Sequence, residues 1–494
     1  MSIRNLMINY LNSTPDRVVM HEMDGRSYLI SQLLDDINKM AIGLKGQFGN
    51  CHGLVFGVAM RSSYEWVATL LAIQKVDAVL LPVPIEFSDD QINSLLAKAT
   101  AIFVQNKNLE QRISTILPGK LCLTPELVRQ TPFGPYTGLL GERIEGDITG
   151  IIHTSGTTSK PKGVMIRDEA VGLLVCNVMN RLPAKPLNYV SIVPMSLLIE
   201  QVLGIFIPIL SGGTLTFMPS MMTEYGSASG NAVEYFNLIA PNNPNFLYLP
   251  PKLLEEANQL LQTKTCSQIL GNDNPHIITG GAKVPMKILE ALDAQGINIF
   301  EAYGLSENSS IISMNSVEQR VIGSSGTLLE GIVPKFVDGE LLINTPTLCA
   351  GYYSSDDTSC EMTDGFLHTG DIAEIRDGYL YITGRKKNVI ILSTSRNISP
   401  EWVESIYKES PYIDDIIVMG EGQDEPSAII LSESDPDLIR AELTRIESRL
   451  ANFARIRKYI QISDIPTFRH DFYTVTGRPR RGVIESKYIE LLYS

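Results

Sequence analysis

Apolar bursts of strand length alternate with helix-length segments along most of the chain. The bursts that predict strands are 53–60, 78–83, 101–104, 189–194, 214–218 and 276–278, and residues 66–74 and 283–294 have helical character. Short strands separated by helices indicate an α/β architecture. We therefore predict a large N-terminal domain of mostly parallel sheets flanked by helices.

The pattern changes after a glycine-flanked turn near Lys387, and we place a domain boundary there. The predicted domains are residues 1–386 and 387–494, the second being of ordinary size for a small α+β unit. In it, Ser399 is the expected N-cap of a helix that starts at Pro400, with Glu401 complementing the dipole. A buried stripe is predicted for this helix at helical spacing, formed by Trp402, Val403, Ile406 and Tyr407.

Residues 154–163, TSGTTSKPKG, follow a strand-like approach through Ile151 and Ile152. Glycine and successive backbone N–H groups can converge on an anion, and hydroxyls add uncharged donors. The donors proposed for phosphate are Thr154, Ser155, Gly156, Thr157 and Thr158, with charge from Lys160 and Lys162. The spacing excludes a Walker A loop. An ordinary polar surface loop is the alternative interpretation.

Three further clusters carry candidate chemistry. Residues 301–307, EAYGLSE, follow an apolar strand, so that Tyr303 could stack on a purine and Glu307 could reach a magnesium ion. A packed tyrosine and a solvated glutamate are the alternatives. Residues 364–371, DGFLHTGD, place Asp371 after a glycine, where it could accept from ribose hydroxyls. The fourth cluster is residues 384–404.

Composition narrows the class of partner. The chain has 494 residues, 44% of them hydrophobic, which is ample for a full core and more than one domain. Its 41 basic residues against 55 acidic ones give a formal charge of −14. Such a surface repels nucleic acid and anionic membrane, so we expect no nucleic-acid partner. A phosphate site must then be locally basic or built from backbone N–H groups.

Six cysteines are scattered without CxxC spacing, so neither a zinc cage nor a disulfide framework is predicted: Cys51, Cys122, Cys176, Cys266, Cys349 and Cys360. The N-terminus lacks the features of a secretory signal. The longest apolar stretch, residues 202–210, is too short to span a bilayer and contains Pro208. These observations predict a soluble cytoplasmic protein with reduced thiols and no transmembrane segment.

Taken in order, the four motifs resemble the superfamily of adenylate-forming enzymes, which includes acyl-CoA synthetases, the adenylation domains of peptide synthetases, and luciferases. Lesser matches at residues 70–84, 279–285 and 339–353 extend the resemblance over most of the chain. Residues 193–201, 384–404 and 474–484 are most similar to long-chain acyl-CoA synthetases and ligases that load acyl carrier proteins.

The resemblance implies a site for ATP and Mg²⁺, with CoA or a phosphopantetheine thiol as acyl acceptor. It implies that residues 154–162 hold the β and γ phosphates, with Lys162 catalytic, that Glu307 and Thr158 bind magnesium, and that Tyr303 stacks on adenine. Asp371 and Arg385 would hold the ribose. The other nucleotide-binding residues that it implies are Gly280, Gly281, Ala282, Gly304, Leu305 and Ser306. It also implies a mobile C-terminal domain hinged at Lys387.

Two arginines have implied roles in different half-reactions. Arg478 aligns with the family lysine that bridges the substrate carboxylate and the α-phosphate, although Arg480 or Lys487 are alternatives. Arginine keeps the charge but is longer and forked, which implies altered adenylation. Arg396 matches a family arginine on the second face of the mobile domain, and a solvated surface arginine is the equal alternative.

Other departures bear on the substrate. Thr394 and Ser159 replace family glycines, and Thr394 puts free CoA in question. Leu197 replaces a histidine or aromatic residue, which predicts an apolar wall beside the substrate carboxylate. No aspartate appears in residues 194–198, so an α-amino acid is disfavoured. Residues 195–209 are apolar, consistent with an acyl pocket or, equally, with core.

Two functions remain open from the sequence. The favoured one is an acid–thiol ligase that adenylates a hydrophobic carboxylic acid, with a fatty acid preferred, releases pyrophosphate and passes the acyl group to CoA or to a phosphopantetheinyl carrier protein. The other is a catalytically impaired nucleotide-binding paralogue with a regulatory or binding role, suggested by Arg478 and Thr394. Retention of Glu307, Asp371 and Arg385 favours the enzyme.

Overall fold

The computed structural model describes residues 1–130, 141, 143–154, 162–220, 222, 225, 232–353, 360–393, 396–474 and 477–493, with the side chains at 154, 162 and 397 left aside. Strands and helices alternate along these residues, as the apolar pattern predicts. Of the described residues, none lies in a helix long and apolar enough to cross a bilayer.

The strands are β1 (Val18–Glu22), β2 (Ser27–Leu29), β3 (Val55–Ala59), β4 (Val79–Pro82), β5 (Ala101–Val104), β6 (Cys122–Leu123), β7 (Ile148–Thr154), β8 (Lys162–Arg167), β9 (Tyr189–Ser191), β10 (Leu215–Phe217), β11 (Phe246–Tyr248), β12 (His276–Gly280), β13 (Ile299–Tyr303), β14 (Ser313–Met314), β15 (Thr327–Leu328), β16 (Val333–Val337), β17 (Glu340–Asn344), β18 (Tyr352–Tyr353), β19 (Met362–Thr363), β20 (Phe366–Arg376), β21 (Tyr379–Arg385), β22 (Ile390–Ile391), β23 (Asn397–Ile398), β24 (Asp415–Met419), β25 (Ser427–Leu431) and β26 (Lys458–Ile462).

The α-helices are α1 (Ile3–Ser13), α2 (Ile30–Phe48), α3 (Tyr64–Lys75), α4 (Asp89–Leu96), α5 (Lys107–Ile116), α6 (Pro125–Arg129), α7 (Asp168–Met179), α8 (Leu198–Glu200), α9 (Ile207–Leu210), α10 (Ala232–Ile239), α11 (Pro251–Leu260), α12 (Cys266–Leu270), α13 (Met286–Asp293), α14 (Pro400–Tyr407), α15 (Pro436–Glu447), α16 (Ile465–Phe472) and α17 (Arg481–Tyr493). A π-helical turn, Gln201–Phe206, joins α8 to α9.

Two large sheets dominate the N-terminal part. Among the described residues, one sheet has the order β18-β8-β7-β4-β3-β5-β6 and the other the order β15-β14-β13-β12-β11-β9-β10-β1-β2. Their central strands pair in parallel, and antiparallel pairs occur toward the ends. Strand β3 is apolar and buried on both faces, as expected where helices cover both sides of a parallel sheet. The predicted α/β class is confirmed.

Local signals explain where the helices begin. Ser63 caps α3 by accepting a hydrogen bond from the Trp66 N–H, with Glu65 in the first turn and Lys75 in the last. Almost every residue of α3 is buried, because the helix lies between the sheet and α2. This helix matches the predicted segment 66–74 with a short extension at each end.

A third sheet is antiparallel and was not indicated by the burst pattern. It contains β16, β17, β20 and β19, with β21 also paired to β20. Strand β20 alternates half-buried and buried residues over its first eight positions. Its register with β21 places Asp371 opposite Arg385, which brings two predicted site residues together.

The C-terminal residues form separate apolar clusters around a small sheet. Strands β24 and β25 are antiparallel, and β26 adds in parallel to β25. One cluster packs α14 and α15 against this sheet, and another packs α16 and α17 on it. The predicted α+β character of this part is confirmed, while the boundary at residues 386 and 387 and the movement stay predictions.

Two details of α14 differ from prediction. Ser399 occupies the N-cap position, but its hydroxyl donates to the Thr383 carbonyl at 2.6 Å instead of capping the helix. Trp402 is 37% exposed and lies outside the buried stripe, which is formed by Val403, Ile406 and Tyr407. The prediction for Trp402 was wrong because helical spacing places it on the edge of the stripe, where an aromatic ring need not be covered.

Candidate active site

The carboxyl ends of three adjacent parallel strands meet at one edge of the larger sheet. Strands β11, β12 and β13 end at Tyr248, Gly280 and Tyr303, and their registers place these ends side by side. The Tyr248 hydroxyl donates to the Gly280 carbonyl oxygen at 3.1 Å. Ligands of open α/β sheets bind at such edges. The sequence analysis did not predict Tyr248 as a site residue, although a tyrosine at the carboxyl end of a parallel strand indicates a candidate ligand contact.

Close backbone approach requires glycine at the end of β12. A Cβ at Gly280 would lie 2.7 Å from the Ala302 carbonyl oxygen, and Gly281 has φ +84°. Ala282 follows and is exposed. The three predicted nucleotide-binding residues of this turn therefore present their backbone at the same edge as Tyr303.

The Tyr303 hydroxyl and Asp371 form the centre of the site. Tyr303 donates to Asp371 Oδ2 at 2.6 Å, and Arg385 Nε lies 2.6 Å from Asp371 Oδ1. Asp371 is only 2% exposed. A carboxylate has about four acceptor positions, so these two bonds leave capacity for ribose hydroxyls. Three residues predicted to bind one nucleotide are thus brought together.

Burial has the largest effect on the pKa values of Asp371 and Tyr303. It raises the pKa of the Asp371 carboxyl against the opposing effect of Arg385. Burial and the neighbouring Asp371 also hold the pKa of the Tyr303 phenol well above its ordinary value. Tyr303 is therefore a hydrogen-bond donor at neutral pH, and its proton points at the carboxylate.

Arg478 reaches this edge from the C-terminal part. Its Nη2 donates to the Gly281 carbonyl oxygen. The arginine is held in a tight loop, in which Thr474 N donates to Arg478 O at 2.8 Å and Arg478 N donates to Thr474 Oγ1 at 3.1 Å. Of the two alternatives, Arg480 donates to the Asp471 carbonyl and Lys487 lies over the Phe472 ring.

The site is locally basic within an acidic chain. Arg478 is exposed at the surface of the protein, yet the protein atoms around its guanidinium partly desolvate it, and this effect, followed by repulsion from Arg385, lowers its pKa, while Tyr248 and Asp371 oppose the shift. The pKa of the exposed Lys387 is lowered by partial desolvation and by repulsion from both arginines. Arg385, Lys387 and Arg478 thus lie within electrostatic range of one another and of Asp371, which is the arrangement expected for binding a polyphosphate.

Glu307 lies beside the hairpin that carries the predicted phosphate loop. Strand β18 pairs with β8, and its Tyr352 hydroxyl donates to Glu307 Oε1 at 2.9 Å. The register of β7 and β8 places Thr154 opposite Lys162 at the top of this hairpin. Their side chains, and Ser155, Gly156, Thr157 and Thr158 as a whole, lie outside the described residues, so their predicted roles stay predictions.

The donor set at Glu307 fits a magnesium ion shared with a nucleotide. Mg²⁺ prefers carboxylate oxygens and usually takes one or two of them, together with phosphates and waters. Within the described ranges, no group of three or more His, Cys, Asp or Glu residues could hold a metal. Glu307 would therefore supply a single carboxylate to the ion, with the remaining ligands coming from phosphates and waters.

A tight turn leads from Tyr303 to Glu307. Leu305 O accepts from the N–H groups of Asn308 and Ser310, and Ser306 O accepts from Ser309 N. A Cβ at Gly304 would lie 1.5 Å from the Ser310 carbonyl oxygen. Leu305 and Ser306 are accordingly placed by a turn that requires glycine at its start.

Gly304→Ala should destabilise the protein because either the turn or the Ser310 carbonyl must move. We expect a loss of about 3 kcal/mol, measured as a fall in the thermal unfolding midpoint. Gly46→Ala is the matched control, since Gly46 lies inside α2 with open space where the added methyl group would point, and it should gain about 0.5–1 kcal/mol. Equal midpoints for the two variants would refute the steric argument.

Arg396 lies apart from this group. Its guanidinium is 5.6 Å from the centre of the Phe453 ring in the C-terminal part. Within the described residues, no hydrogen bond or ion pair joins it to Asp371, Arg385 or Tyr303. Its predicted role on a second face of the domain therefore stays a prediction.

Most of the apolar segment 195–209 is core. It forms α8, the π-helical turn and the first part of α9, and most of its side chains are buried. The cavity beside Leu198, Gln201 and Phe206 has room for about one water molecule. Leu197 and Ile199 are half-buried, so their side chains could still form part of an apolar wall beside the substrate.

Glu301 is a half-buried acid that sequence reasoning did not single out for chemistry. It lies two residues before Tyr303 on β13, and its Oε2 accepts from Gly323 N at 2.8 Å. Burial raises the pKa of this carboxyl to about 7 from its ordinary value of 4.5. A folded-state pKa above the unfolded one means that the folded protein binds this proton more tightly.

Glu301 should therefore make stability depend on pH. Its favourable contribution is complete below about pH 4.5 and is lost as the pH rises through about 7. Glu301→Gln keeps an acceptor for Gly323 and does not titrate, so its stability relative to wild type should improve by up to about 1.4 kcal/mol per pH unit across this window. Urea unfolding at several pH values measures the difference. Glu290→Gln, on the exposed side of α13, should give a constant difference.

Comparison with known proteins gives two family matches that span most of the chain. Residues 9–353 match the family described as AMP-binding enzyme, and residues 387–463 match the AMP-binding enzyme C-terminal domain. A curated relative, the long-chain-fatty-acid–CoA ligase FadD15 of Mycobacterium bovis, is 23% identical, with 96% of each protein covered.

Solved structures share the fold at low identity. An anthranilate CoA ligase, AuaEII, in complex with anthranoyl-AMP has a TM-score of 0.83 at 20% identity, covering 99% of this chain and 97% of that one. The o-succinylbenzoate coenzyme A synthetase MenE of Bacillus subtilis, in complex with ATP and a magnesium ion, has a TM-score of 0.76 at 19% identity, covering 97% and 98%. These likenesses show the same fold along nearly the whole chain.

Proposed function

Because this chain belongs to the AMP-binding enzyme family, we propose that it adenylates a hydrophobic carboxylic acid with ATP and transfers the acyl group to a thiol. The family and the enzyme class predicted from the four motifs are confirmed by the family matches and the named CoA ligases among the relatives. The acid, the acceptor and the roles of individual residues belong to the proposal.

One observation carries the proposal. Arg478 of the C-terminal part donates to Gly281 O, beside the group formed by Tyr303, Asp371 and Arg385. A buried acceptor for sugar hydroxyls therefore lies next to a positive charge supplied by a different part of the chain. Adenylation requires this combination, because a carboxylate must approach a phosphate that is also negative.

In the first half-reaction, an oxygen of the substrate carboxylate bonds to the α-phosphorus of ATP, and the bond from that phosphorus to the β-phosphate oxygen breaks. Pyrophosphate leaves and an acyl adenylate remains. Arg478 would offset the charge of the two approaching anions, and Asp371 would hold the ribose. A magnesium ion, when bound by Glu307 and the phosphates, offsets further negative charge.

In the second half-reaction, a thiolate sulfur bonds to the acyl carbon and AMP leaves with the bonding electron pair. CoA is the favoured acceptor because relatives are named CoA ligases, and a phosphopantetheinyl carrier protein is the alternative. For the acid, the relatives' names include a fatty-acid ligase and aromatic-acid ligases. We favour a fatty acid because Leu197 and Ile199 offer an apolar wall.

Pyrophosphate release with ATP and Mg²⁺ tests the proposal. The acids should include fatty acids of increasing length, anthranilate, o-succinylbenzoate and α-amino acids, and we expect release with fatty acids and none with amino acids. Thioester formation with CoA and with a holo carrier protein then identifies the acceptor. ATP binding without release for any acid would instead support the impaired paralogue.

A further inference from the structure

Two cysteine sulfurs are in contact beside the candidate active site. Cys349 Sγ and Cys360 Sγ lie 3.2 Å apart, although the residues are eleven positions apart in the chain. Both cysteines are in the reduced, thiol form. A disulfide bond is about 2.05 Å long, so a relative movement of about 1 Å would close one. The sequence spacing gave no sign of this pair.

The remaining cysteines are placed differently. Within the described residues, which include all six cysteines, Cys349 and Cys360 form the one pair of cysteine sulfurs in hydrogen-bond contact. Cys51 and Cys266 have pKa values raised to about 11 by burial, which suppresses thiolate formation. Because a disulfide needs two sulfurs in contact, peroxide should form an intramolecular disulfide selectively at this pair.

The segment that carries Cys349 also holds Glu307. Cys349 N donates to the Glu307 carbonyl oxygen at 2.8 Å, and Tyr352, three residues later, donates to the Glu307 carboxylate at 2.9 Å. Both the main chain and the side chain of Glu307 are thus fixed by residues 349–352. A displacement of Cys349 reaches the candidate magnesium ligand through a single hydrogen bond.

We propose that Cys349 and Cys360 are a redox-modification site, at which a peroxide closes a disulfide that displaces Glu307 and weakens binding of ATP with Mg²⁺. The inhibitory consequence rests on the proposed function, because it needs a nucleotide site at Glu307. The modification itself rests on the two sulfurs alone.

The chemistry balances with hydrogen peroxide as the oxidant. The Cys360 thiolate attacks one peroxide oxygen, the O–O bond breaks, and hydroxide leaves to take a proton, which gives a sulfenic acid and water. The Cys349 thiol then loses its proton, its sulfur attacks the Cys360 sulfur, and the hydroxyl leaves as a second water. Two thiols are oxidised to one disulfide, and one peroxide is reduced to two waters.

The geometry also assigns the order of attack. Cys349 is 3% exposed, whereas Cys360 is half-buried and more accessible to peroxide. Peroxide therefore reaches Cys360 first, and Cys360 is the first sulfur to be oxidised.

The test combines disulfide mapping with nucleotide binding on the full-length protein. Reduced protein is titrated with hydrogen peroxide, and peptide mass spectrometry locates any disulfide. Binding of a non-hydrolysable ATP analogue with Mg²⁺ is measured before oxidation, after it, and after reduction with dithiothreitol. We expect a Cys349–Cys360 disulfide and affinity about tenfold weaker, restored by the reductant.

Cys360→Ser should bind the analogue as the reduced wild type does and should lose the response to peroxide. Cys349→Ala removes the buried partner and provides a second variant, for which Cys360 should stop at the sulfenic acid. Cys122→Ser is the matched control, being another half-buried thiol, and should respond as the wild type does.

The outcomes separate the two proposals. Absence of the Cys349–Cys360 disulfide would overturn the modification site. A disulfide without a change in affinity, or a loss of affinity that persists in Cys360→Ser, would overturn the inhibitory consequence. Reduced protein that binds no ATP analogue would overturn the proposed function and its inhibition together, while the disulfide map would still decide the modification site.

Discussion

Arg478→Ala should slow adenylation by about 100-fold or more while leaving the fold intact. The side chain brings positive charge from the C-terminal part to the strand edge where Gly281, Asp371 and Tyr303 meet. Loss of one group that stabilises transition-state charge costs roughly 100- to 1000-fold in rate. Substrate-dependent release of pyrophosphate measures the first half-reaction directly.

The second half-reaction should be less sensitive to this substitution. When acyl adenylate is supplied, the two anions have already been joined, so the charge that Arg478 offsets is no longer needed in the same place. Thioester formation from the supplied adenylate should therefore fall much less than pyrophosphate release. Equal losses in both steps would contradict the placement of Arg478 in adenylation.

Arg480 is the matched control, which distinguishes the loss of a positive charge at the candidate site from the loss of one elsewhere in the C-terminal part. Arg480 is two residues away but donates to the Asp471 carbonyl, within the C-terminal part. Arg480→Ala should retain most of the adenylation rate. Arg478→Lys keeps the charge but loses the forked guanidinium, so we expect a rate between those of wild type and Arg478→Ala. A reversal of this order would favour Arg480 as the reacting cation.

The large sheets could be predicted because most of their strands are continuous apolar runs that are recognisable from the local sequence. Strand β3 is an unbroken apolar run covered on both faces, and β4 and β5 are similar. Strand β16, by contrast, has exposed Val333 and Val337 at its ends, and β20 alternates half-buried and buried residues. Such strands are fixed mainly by pairing with distant partners, so a burst pattern does not identify them.

The site could be predicted in its residue types but not in its contacts. The motifs predicted Tyr303, Asp371 and Arg385 to be nucleotide ligands, and the structure brings them together, yet the bond from Tyr303 to Asp371 joins residues 68 positions apart. Neither spacing nor periodicity carries that information. The same reason explains why the Tyr352 contact with Glu307 and the contact between Cys349 and Cys360 were missed.

A tertiary hydrogen bond replaces the capping bond that the sequence predicts at the start of α14. Ser399 has the residue type and position of an N-cap, but its hydroxyl instead donates to Thr383 O on β21. That bond ties the start of α14 to the strand that carries Arg385. A tertiary acceptor within reach competes with the capping bond, and the sequence alone gives no means of ranking the two.

Asp371→Ala should weaken ATP binding by about 100-fold or more. The carboxylate is 2% exposed and is held by Tyr303 and Arg385, so its remaining acceptor positions are fixed in direction. Hydrogen bonds to a charged group contribute about 1.5–3 kcal/mol each, and loss of two to the ribose hydroxyls accounts for this change. Calorimetric titration with a non-hydrolysable analogue gives the affinity without requiring turnover.

Removing Asp371 also leaves the Tyr303 hydroxyl and Arg385 without this acceptor. Control variants must therefore distinguish a loss of ATP binding from a loss of local structure. Asp371→Asn preserves the size and one acceptor oxygen, and should fall between wild type and alanine in affinity. Glu374→Ala, an acid with a 51% exposed side chain on the same strand β20, should bind ATP as wild type does. If Asp371→Ala keeps full affinity while its thermal midpoint falls, the carboxylate supports the strand pair β20–β21 and does not bind the ribose.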